Sequence, residues 1–470
     1  MFDSKFKNTR IPQFYFLPLS FLVLIVLGTI FLKTPIALNP GATISWLDSL
    51  FVSTSAVSLV GLSTVSIGEV FDFPGQMMLL FLVQMGGIGI LFATLFAALL
   101  IGQKFSLTDE QVIEATIGKI KFVQPLDVFI YACFFVFFFE LLGVILYLLG
   151  CINQINYIGL PDSDGKGWAL MVWDAVFHTV ASFCNAGFSL YPEGFIRYKD
   201  SPYFLILNSF LVIVGGLGLI TFINLRYWYF WKRNSMLRGE LLLQTKITLW
   251  MSSILLILGT LLFLGFEYNR TLDDIHGFWG KCAASFCQSA NTRTAGFNVV
   301  DFEEVHPAVL VGFLFFMFIG GGTGSMAGGI KVTTFFVIVM TVWFVFRRRE
   351  EIQLFQRKLS SNSVRVALML CFICMFFVAA GVFSLIIFEN DGFALQQGQG
   401  WLGIIFEGVS AFGTTGLSTG ITPLLKSESK LILIFLMYMG RVMTFTLVVY
   451  LMRPQQKSSV RYPEGYLSLG

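Results

Sequence analysis

Eight long apolar runs are the feature that most limits how this chain can fold. Each is about twenty residues or longer and almost uncharged, the length a helix needs to cross a hydrocarbon core of ~30 Å. At 56% hydrophobic and 13% charged residues, the chain is far more apolar than soluble domains are. The sequence therefore predicts an all-α integral membrane protein. The runs cover 15–37, 74–101, 127–150, 203–231, 247–267, 307–346, 365–388 and 429–452.

Basic residues flank every second junction between these runs. Lysine and arginine are retained in cytoplasmic loops, so this pattern predicts a multi-pass plasma-membrane protein with both termini cytoplasmic and a tail over 453–470. The intervening loops are acidic, and their charges are interpreted either as solvated loop residues or as a vestibule that attracts cations. The basic residues are Lys5, Lys7, Arg10, Lys104, Lys119, Lys121, Arg226, Lys232, Arg233, Arg238, Lys246, Arg347, Arg348, Arg349, Arg357, Lys358, Arg365, Arg453, Lys457 and Arg461.

Four shorter and more polar segments lie between paired runs and share one spacing. Each starts near a tryptophan and contains a phenylalanine that precedes a glycine by ten residues, as Phe51 precedes Gly61. The other glycines in this register are Gly187, Gly296 and Gly416. The pattern predicts four helix, pore-loop, helix repeats around a pseudo-fourfold central pore. Their predicted bounds are 1–101, 102–231, 232–346 with a broken inner helix, and 347–452.

Each of these segments is interpreted as a helix of about ten residues, which starts near Trp46, Trp173, Trp279 or Trp401, followed by an extended strand. Glycine is required where the strand turns because no Cβ fits there, and non-helical backbone survives at membrane depth only where it is buried or lines water. Carbonyl oxygens of four such strands replace the hydration shell of a cation in potassium channels. Loops that plug a broken-helix carrier remain an alternative, although such carriers are built from two related halves. The predicted ion-selectivity filter is Leu59, Val60, Gly61, Asn185, Ala186, Gly187, Thr294, Ala295, Gly296, Thr414, Thr415 and Gly416.

A glycine-rich run interrupts the sixth apolar stretch. Six glycines between Gly320 and Lys331 are too many for a continuous helix at about 1 kcal/mol each, so the run predicts an unwound loop inside the membrane. It matches neither nucleotide-binding glycine motif. Arg441 lies at the corresponding level of the last run. The predicted gate consists of Gly320, Gly321, Gly322, Thr323, Gly324, Lys331 and Arg441.

Several charged or small residues in the apolar runs keep two interpretations. Arg441 either marks the ion pathway, since a charge at this depth costs roughly 2.5–3.5 kcal/mol, or bonds structurally to backbone carbonyls. Lys331 is either part of the barrier or an anchor whose amine reaches toward the interface. Glu140 is expected to bond an unidentified neighbouring helix. Glycines such as Gly86 and Gly215 permit bending near the pore axis or ordinary close packing.

These segments carry a resemblance to a known family. In combination they resemble the Trk/Ktr/HKT superfamily of potassium uptake proteins over nearly the whole chain. The first run begins too near the start for the extra N-terminal hairpin of the TrkH type, which favours the KtrB type of membrane subunit. The motifs are VGLST at 60–64, NAGFS at 185–189, RTAGFN at 293–298, TTGLSTG at 414–420, GGGTGSMAGGIKV at 320–332 and MGRVMTF at 439–445.

The resemblance implies a function and partners. It implies potassium uptake by a homodimer in which each subunit has its own pore, assembled on a cytoplasmic ring of KtrA-like subunits that bind ATP or ADP. No cofactor other than potassium, or sodium, is expected on this chain, and membrane lipid but no nucleic acid is expected to contact it. Gly61 favours potassium, since plant relatives that pass sodium carry serine at this point. A sodium-coupled or sodium-permeable transporter and a broken-helix secondary carrier stay open as alternatives, whereas the titratable groups are too dispersed for an enzyme.

Overall fold

The computed structural model is almost entirely helical in the residues it describes. One hairpin of two-residue strands, β1 (Gln353–Leu354) and β2 (Arg357–Lys358), is the exception. The predicted tail over 453–470 and the basic residues before 16, between 101 and 124 and at 238 lie outside the described residues. The predicted all-α membrane class is confirmed. The described residues are 16–100, 125–153, 167–233, 241–349, 353–354, 357–359, 361–390, 392, 395 and 399–451.

The first two repeats each place a short helix between longer ones. Their short helices, α2 and α6, are followed by the strands that contain Gly61 and Gly187. The inner helix of the second repeat is divided at Gly218 into α7 and α8. The helices are α1 (Phe16–Leu32), α2 (Trp46–Ser58), α3 (Ile67–Val70), α4 (Phe73–Leu100), α5 (Pro125–Asn153), α6 (Gly167–Phe183), α7 (Pro202–Leu217) and α8 (Leu219–Arg233), with 3-10 turns at Pro35–Ala37 and Gly194–Tyr198.

The last two repeats have the same order but differ on their inner side. In the third repeat the inner helix is interrupted between Phe318 and Val332, where the glycine run lies. In the fourth repeat it is continuous. The helices are α9 (Leu243–Glu267), α10 (Gly277–Asn291), α11 (Pro307–Phe318), α12 (Val332–Phe346), α13 (Ser361–Glu389), α14 (Trp401–Gly413) and α15 (Ser427–Leu451), with a 3-10 turn at Thr422–Leu424.

Interruption explains why some apolar runs are not single spanning helices. Among the described residues, three helical stretches could each cross a membrane alone by length and composition: Ala132–Ile152, Leu243–Glu267 and Ser363–Glu389. The helices α7, α11 and α12 are shorter apolar pieces. Two pieces joined by buried non-helical backbone cover one crossing, which is permitted where that backbone is buried in protein.

The short helices α2, α6, α10 and α14, called here the re-entrant helices, lie at the centre of their repeats. They contain 13 to 17 residues, more than the ten or so that the sequence indicated, and α6 begins at Gly167 rather than near Trp173. Phe51, Phe177 and Phe406, from the shared spacing, are at most 1% exposed. Long helices such as α5 instead expose large apolar side chains, as expected for a surface covered by lipid.

Candidate functional site

Each re-entrant helix ends in the same unusual backbone conformation. The residue two positions before each registered glycine is left-handed, although it is not glycine, with φ between 51° and 72°. The glycine itself has φ between 68° and 96°. Left-handed conformations at non-glycine residues are uncommon and concentrate at functional sites. The left-handed residues are Leu59, Asn185, Thr294 and Thr414.

The four glycines contact one another in a closed ring. A methyl group on Gly61 would come within 2.6 Å of the Ala186 carbonyl oxygen in the second repeat. The same addition to Gly187 would come within 2.8 Å of the Ala295 oxygen, and to Gly296 within 2.7 Å of the Thr415 oxygen.

The ring closes between the fourth repeat and the first. A methyl group on Gly416 would come within 1.8 Å of the Val60 carbonyl oxygen. All four neighbours are backbone atoms, so glycine is required for the strands to approach one another. We call Gly61, Gly187, Gly296 and Gly416 the glycine ring. The structure thus brings together eight of the twelve residues of the predicted filter, the four glycines and the residue directly before each.

Side chains of the re-entrant helices hold the strands just beyond the glycine ring. His178 Nε2 lies 3.1 Å from Ser189 Oγ in the second repeat. Gln288 Oε1 accepts from the backbone N–H of Val299 at 2.9 Å in the third. Glu407 is fully buried in the fourth. We call His178, Gln288 and Glu407 the brace residues.

The brace residues were not predicted from the sequence. A signal was available, because His178 and Glu407 directly follow the phenylalanines Phe177 and Phe406 of the shared spacing. The corresponding residues of the other repeats are Val52 and Cys287. In the first repeat Ser55 Oγ instead accepts from the backbone N–H of Gly61 at 3.0 Å.

Below the glycine ring, residues 319–331 form a non-helical loop, called here the inner loop. Its two ends pair, since the Gly320 N–H donates to the Ile330 carbonyl at 2.8 Å. Near its C-terminal end the loop contacts the fourth repeat, where the Gly328 N–H donates to Thr414 Oγ1 at 3.0 Å. The loop is therefore bonded directly to a residue beside the glycine ring.

The inner loop also fills the break in the second repeat. The Gly322 N–H donates to the Gly216 carbonyl at 2.9 Å, and the Leu219 N–H at the start of α8 donates to the Gly324 carbonyl at 3.2 Å. A methyl group on Gly218 would lie within 2.9 Å of the loop backbone. Backbone groups freed by the break in one repeat are thus satisfied by the interruption in the next.

Arg441 crosses from the fourth repeat to the inner loop. Its guanidinium donates to the Met326 carbonyl in the loop and, at 3.0 Å, to the Gly86 carbonyl on α4. The side chain is 3% exposed, and its Nε has no hydrogen-bond partner among the described residues. Lys331 Nζ donates to the Ala327 carbonyl within the loop itself. The structure thus places Arg441 against the predicted loop, through the Met326 carbonyl, and against α4, through the Gly86 carbonyl.

Glu140 has partners that the sequence left unidentified. Gln84 Nε2 donates to Glu140 Oε2 at 3.1 Å, from α4. Cys184 Sγ, next to the left-handed residue of the second repeat, lies 3.8 Å from Glu140 Oε1. Glu140 therefore links two long helices to the end of a re-entrant helix.

Glycines of the inner helices serve close packing. A methyl group on Gly86 would come within 2.2 Å of the Val57 carbonyl, on Gly215 within 2.0 Å of Phe183 and on Gly440 within 1.9 Å of Phe412. Each contact is with the re-entrant helix of the same repeat or the residues at its end. Of the two interpretations, close backbone approach is the one these three contacts support.

Two acids at the ends of long helices bond to the backbone just before an inner helix. Glu389 is fully buried and accepts from the backbone N–H of Lys426 at 2.8 Å, just before α15 begins. Glu267, which ends α9, accepts from the His306 N–H at 2.7 Å in the same way, just before α11. Both carboxylates satisfy the first donors of an inner helix. Glu303, in contrast, is exposed.

Comparisons with known proteins identify related chains. A family model described as "Cation transport protein" (TrkH) matches residues 104–461. The Ktr system potassium uptake protein B of Bacillus subtilis is 31% identical, covering 100% of this chain and 99% of the relative. The potassium/sodium uptake protein NtpJ of Enterococcus hirae is 29% identical, with 99% of each covered.

The fold is similar to that of a solved transporter. The crystal structure of the potassium transporter TrkH from Vibrio parahaemolyticus superposes with a TM-score of 0.67, covering 96% of this chain and 86% of that one. The sequences are 18% identical, so this likeness concerns the fold alone.

Proposed function

The chain belongs to the TrkH family of cation transport proteins, and on that premise we propose that it takes up potassium ions across the plasma membrane through a channel-like pore. The observation that carries the proposal is the closed glycine ring, in which four strands at membrane depth approach through backbone atoms alone. Such backbone can replace the hydration shell of a cation. The name of the Bacillus subtilis relative points to the same ion.

In this proposal the selectivity filter consists of the glycine ring and the residues directly before it. The carbonyls of Val60, Ala186, Ala295 and Thr415 supply oxygen ligands, one set from each repeat. The left-handed residues turn the chain out of each re-entrant helix.

The filter is tested by potassium and sodium uptake into cells that lack their own potassium uptake. Gly61→Ser and Gly296→Ser each add a Cβ where a carbonyl of the next repeat lies within 2.7 Å. We expect both variants to discriminate less between potassium and sodium. Unchanged permeability ratios in both correctly inserted variants would contradict the assignment.

A sodium-permeable transporter of the same family is the second candidate. It is favoured by the name of the Enterococcus hirae relative, a potassium/sodium uptake protein, and opposed by glycine rather than serine at position 61. Uptake of labelled sodium in the absence of potassium distinguishes the two, because a potassium-selective pore should leave sodium uptake near the background of cells without the chain.

The inner loop and Arg441 are proposed as the gate. The glycine-rich loop has no helix of its own, and its hydrogen bonds to the second and fourth repeats are the contacts that have to change for it to move. The charge of Arg441 opposes a passing cation in a low dielectric. Movement of the loop together with this charge would open the path below the glycine ring.

A cytoplasmic partner is proposed to control this gate. The Ktr system proteins are named as parts of a system, and we propose that a homodimer of this chain assembles on a ring of KtrA-like subunits that bind ATP or ADP. Both termini and the basic loops at 226–246 and 347–365 would face that ring. Arg347 stacks 4.9 Å from the Trp343 ring at the end of α12, beside Arg348 and Arg349.

Neutralising a basic cluster tests the partner. Replacing Arg347, Arg348 and Arg349 together with Lys232 and Arg233 by glutamine is expected to prevent recovery of the complex with a co-expressed regulatory subunit. Replacement by lysine at the three arginines is the matched control, since it keeps the charge. Intact recovery of the neutral variant would favour contact of these loops with anionic lipid.

A further inference from the structure

Among the brace residues, Glu407 alone is an acid. Its Oε1 accepts from Ser418 Oγ at 2.6 Å and from the Thr419 backbone N–H at 3.0 Å. Its Oε2 accepts from Thr422 Oγ1 at 2.8 Å. One of these donors is a backbone N–H that cannot reverse its role, and a third hydroxyl, Thr419 Oγ1, lies 3.5 Å from Oε1. This donor set suits an ionised carboxylate.

The carboxylate of Glu407 has no basic partner in the part of the chain that the structure describes. None of its hydrogen bonds or ion pairs there involves lysine, arginine or histidine, and the side chain is fully buried. Buried charges are normally paired, because an isolated ion at low dielectric is costly. An acid inside a membrane without such a pair is by default a functional candidate.

The segment that Glu407 holds is the outer mouth of the glycine ring. Ser418 and Thr419 come two and three residues after Gly416. The Ser418 carbonyl accepts from Asn298 Nδ2 of the third repeat at 2.9 Å. Ser418 is only half-buried, whereas Thr419 is 1% exposed. The carboxylate therefore lies one hydrogen bond behind the residues that a cation would meet on reaching the ring.

We propose that Glu407 is a specificity- and affinity-determining residue whose missing counterion is the transported monovalent cation at the outer end of the glycine ring. The corresponding residues Val52, His178 and Cys287 carry no negative charge, so the field at the mouth comes from one side, the fourth repeat. The hydroxyls and the N–H that hold the carboxylate keep it from contacting the ion directly. Its effect is on cation affinity at the mouth, and it rests on the proposed function.

The test is the dependence of initial potassium uptake on external potassium in cells that lack their own uptake systems. Glu407→Gln keeps the shape and an acceptor oxygen but removes the charge. We expect its half-saturating potassium concentration to rise about tenfold, since one charge at low dielectric acts over several ångströms, while the maximal rate stays within about twofold. A half-saturating concentration within twofold of the parent chain would show that Glu407 is a neutral brace and would overturn the proposal.

The neighbouring repeat offers a matched charge control. Gln288 is the neutral brace of the third repeat, and its Nε2 has no hydrogen-bond partner among the described residues, so Gln288→Glu removes a buried unpaired donor while adding a carboxylate. The double variant Glu407→Gln with Gln288→Glu is expected to recover at least half of the lost affinity on a logarithmic scale. A structural brace would not be rescued in this way, so absence of rescue would also overturn the proposal.

Two other outcomes have to be told apart from a failure of this proposal: a Glu407→Gln variant that does not insert, and a failure of the proposed function itself. If Glu407→Gln fails to insert, Gln288→Glu in the parent chain is used, and we expect its half-saturating concentration to fall about threefold; an unchanged value would overturn the proposal. Failure of the proposed function is seen separately, because the parent chain would then take up no potassium and ring variants such as Gly61→Ser would not alter selectivity.

Discussion

The two halves of the candidate pore differ in how alike the four repeats are. At the glycine ring the four repeats are nearly equivalent: each has a left-handed residue, a glycine with positive φ and a backbone contact with the next repeat. Below the ring they differ. The inner helix is continuous in α4 and α15, divided at Gly218 in the second repeat and replaced over 319–331 by a loop in the third.

This difference fits the roles proposed for the two halves, ion coordination at the glycine ring and gating below it. Coordination of one ion on an axis requires similar ligands from every side, so a change in one repeat disturbs the whole ring. A barrier that opens requires only one movable segment and something firm to hold it. In the proposed gate the inner loop is the movable segment, and the Gly218 break and Arg441 hold it through hydrogen bonds.

The largest effect on potassium uptake is expected in the half where the repeats are alike, at a glycine of the ring. Gly416→Ser places a Cβ within 1.8 Å of the Val60 carbonyl, and no side-chain rotation can relieve a clash with backbone. We expect potassium uptake to fall to the background of cells without the chain, a larger loss than for Gly61→Ser. Uptake is measured on variants shown to be inserted in the membrane.

Gly277→Ser is the control for this substitution. Gly277 has a similar positive φ of 75°, but a methyl group there meets nothing within 4 Å. It therefore carries the conformational cost of roughly 1–2 kcal/mol without the clash, and uptake should be retained. Normal uptake by Gly416→Ser would show that the ring is not closed through backbone contact.

The next effect tests the inner half. Arg441→Ala, or deletion of residues 321–328, removes contacts of the inner loop with other repeats. A hydrogen bond to a charged group contributes ~1.5–3 kcal/mol, so the open population should rise about tenfold or until it saturates. We expect higher potassium flux that depends less on the partner, with selectivity largely intact.

Arg441→Lys separates charge from geometry in that experiment. Lysine keeps the positive charge but cannot reach the Met326 and Gly86 carbonyls with a planar pair of donors. An intermediate flux is expected. If Arg441→Ala and the deletion both retain normal regulated flux, the gate lies elsewhere and the glycines serve only packing.

A smaller effect is expected where the two halves meet. Thr414→Val keeps the side-chain shape but removes the hydroxyl that accepts from the Gly328 N–H. Loss of one neutral hydrogen bond of about 1 kcal/mol should loosen the C-terminal end of the loop and raise flux roughly threefold. Thr414→Ser retains the hydroxyl and should behave like the parent chain. Equal flux in the two variants would show that this bond does not hold the loop.

The smallest effect is expected at Glu140, the buried acid of the inner half. It is bonded to an amide and a thiol, unlike Glu407 with its hydroxyl and N–H donors. Glu140→Gln should therefore change the free energy of unfolding by about 0.5 kcal/mol or less, whereas Glu140→Leu leaves Gln84 Nε2 without its acceptor at a cost of ~1–3 kcal/mol. Thermal unfolding in detergent compares the two, and a large, equal loss in both would mean that Glu140 is charged in the folded protein.

The sequence was most informative where the repeats are alike. The spacing from Phe51 to Gly61 recurs in all four repeats, so a pattern too weak to interpret in one copy could be recognised from four. It was least informative where a residue acts alone. Glu140, His178 and Glu407 each belong to one repeat only, since the residues at the positions of His178 and Glu407 differ among the repeats. Nothing near these three residues in the sequence indicates the partner that the fold supplies.

Helix lengths show the same limit. Trp173 suggested the start of the second re-entrant helix, but α6 begins at Gly167, because a tryptophan near a helix start does not by itself end the helix on its N-terminal side. The break at Gly218 was likewise not distinguishable from ordinary glycine packing. Its cause is the inner loop of another repeat, more than a hundred residues later in the chain.

By itself the sequence determined the membrane class, the fourfold register of the glycines and the run that cannot remain helical, because hydropathy, spacing and the conformational freedom of glycine are local properties. The tertiary structure alone decided which carbonyl meets which glycine, that the inner loop fills the break at Gly218, and which groups satisfy Arg441, Glu140 and Glu407. Except for the partners of Glu407, which lie in the fourth repeat itself, and the Cys184 contact of Glu140, these are contacts between repeats. They depend on how four similar units pack around one axis, and no local pattern of residues specifies a partner in another unit.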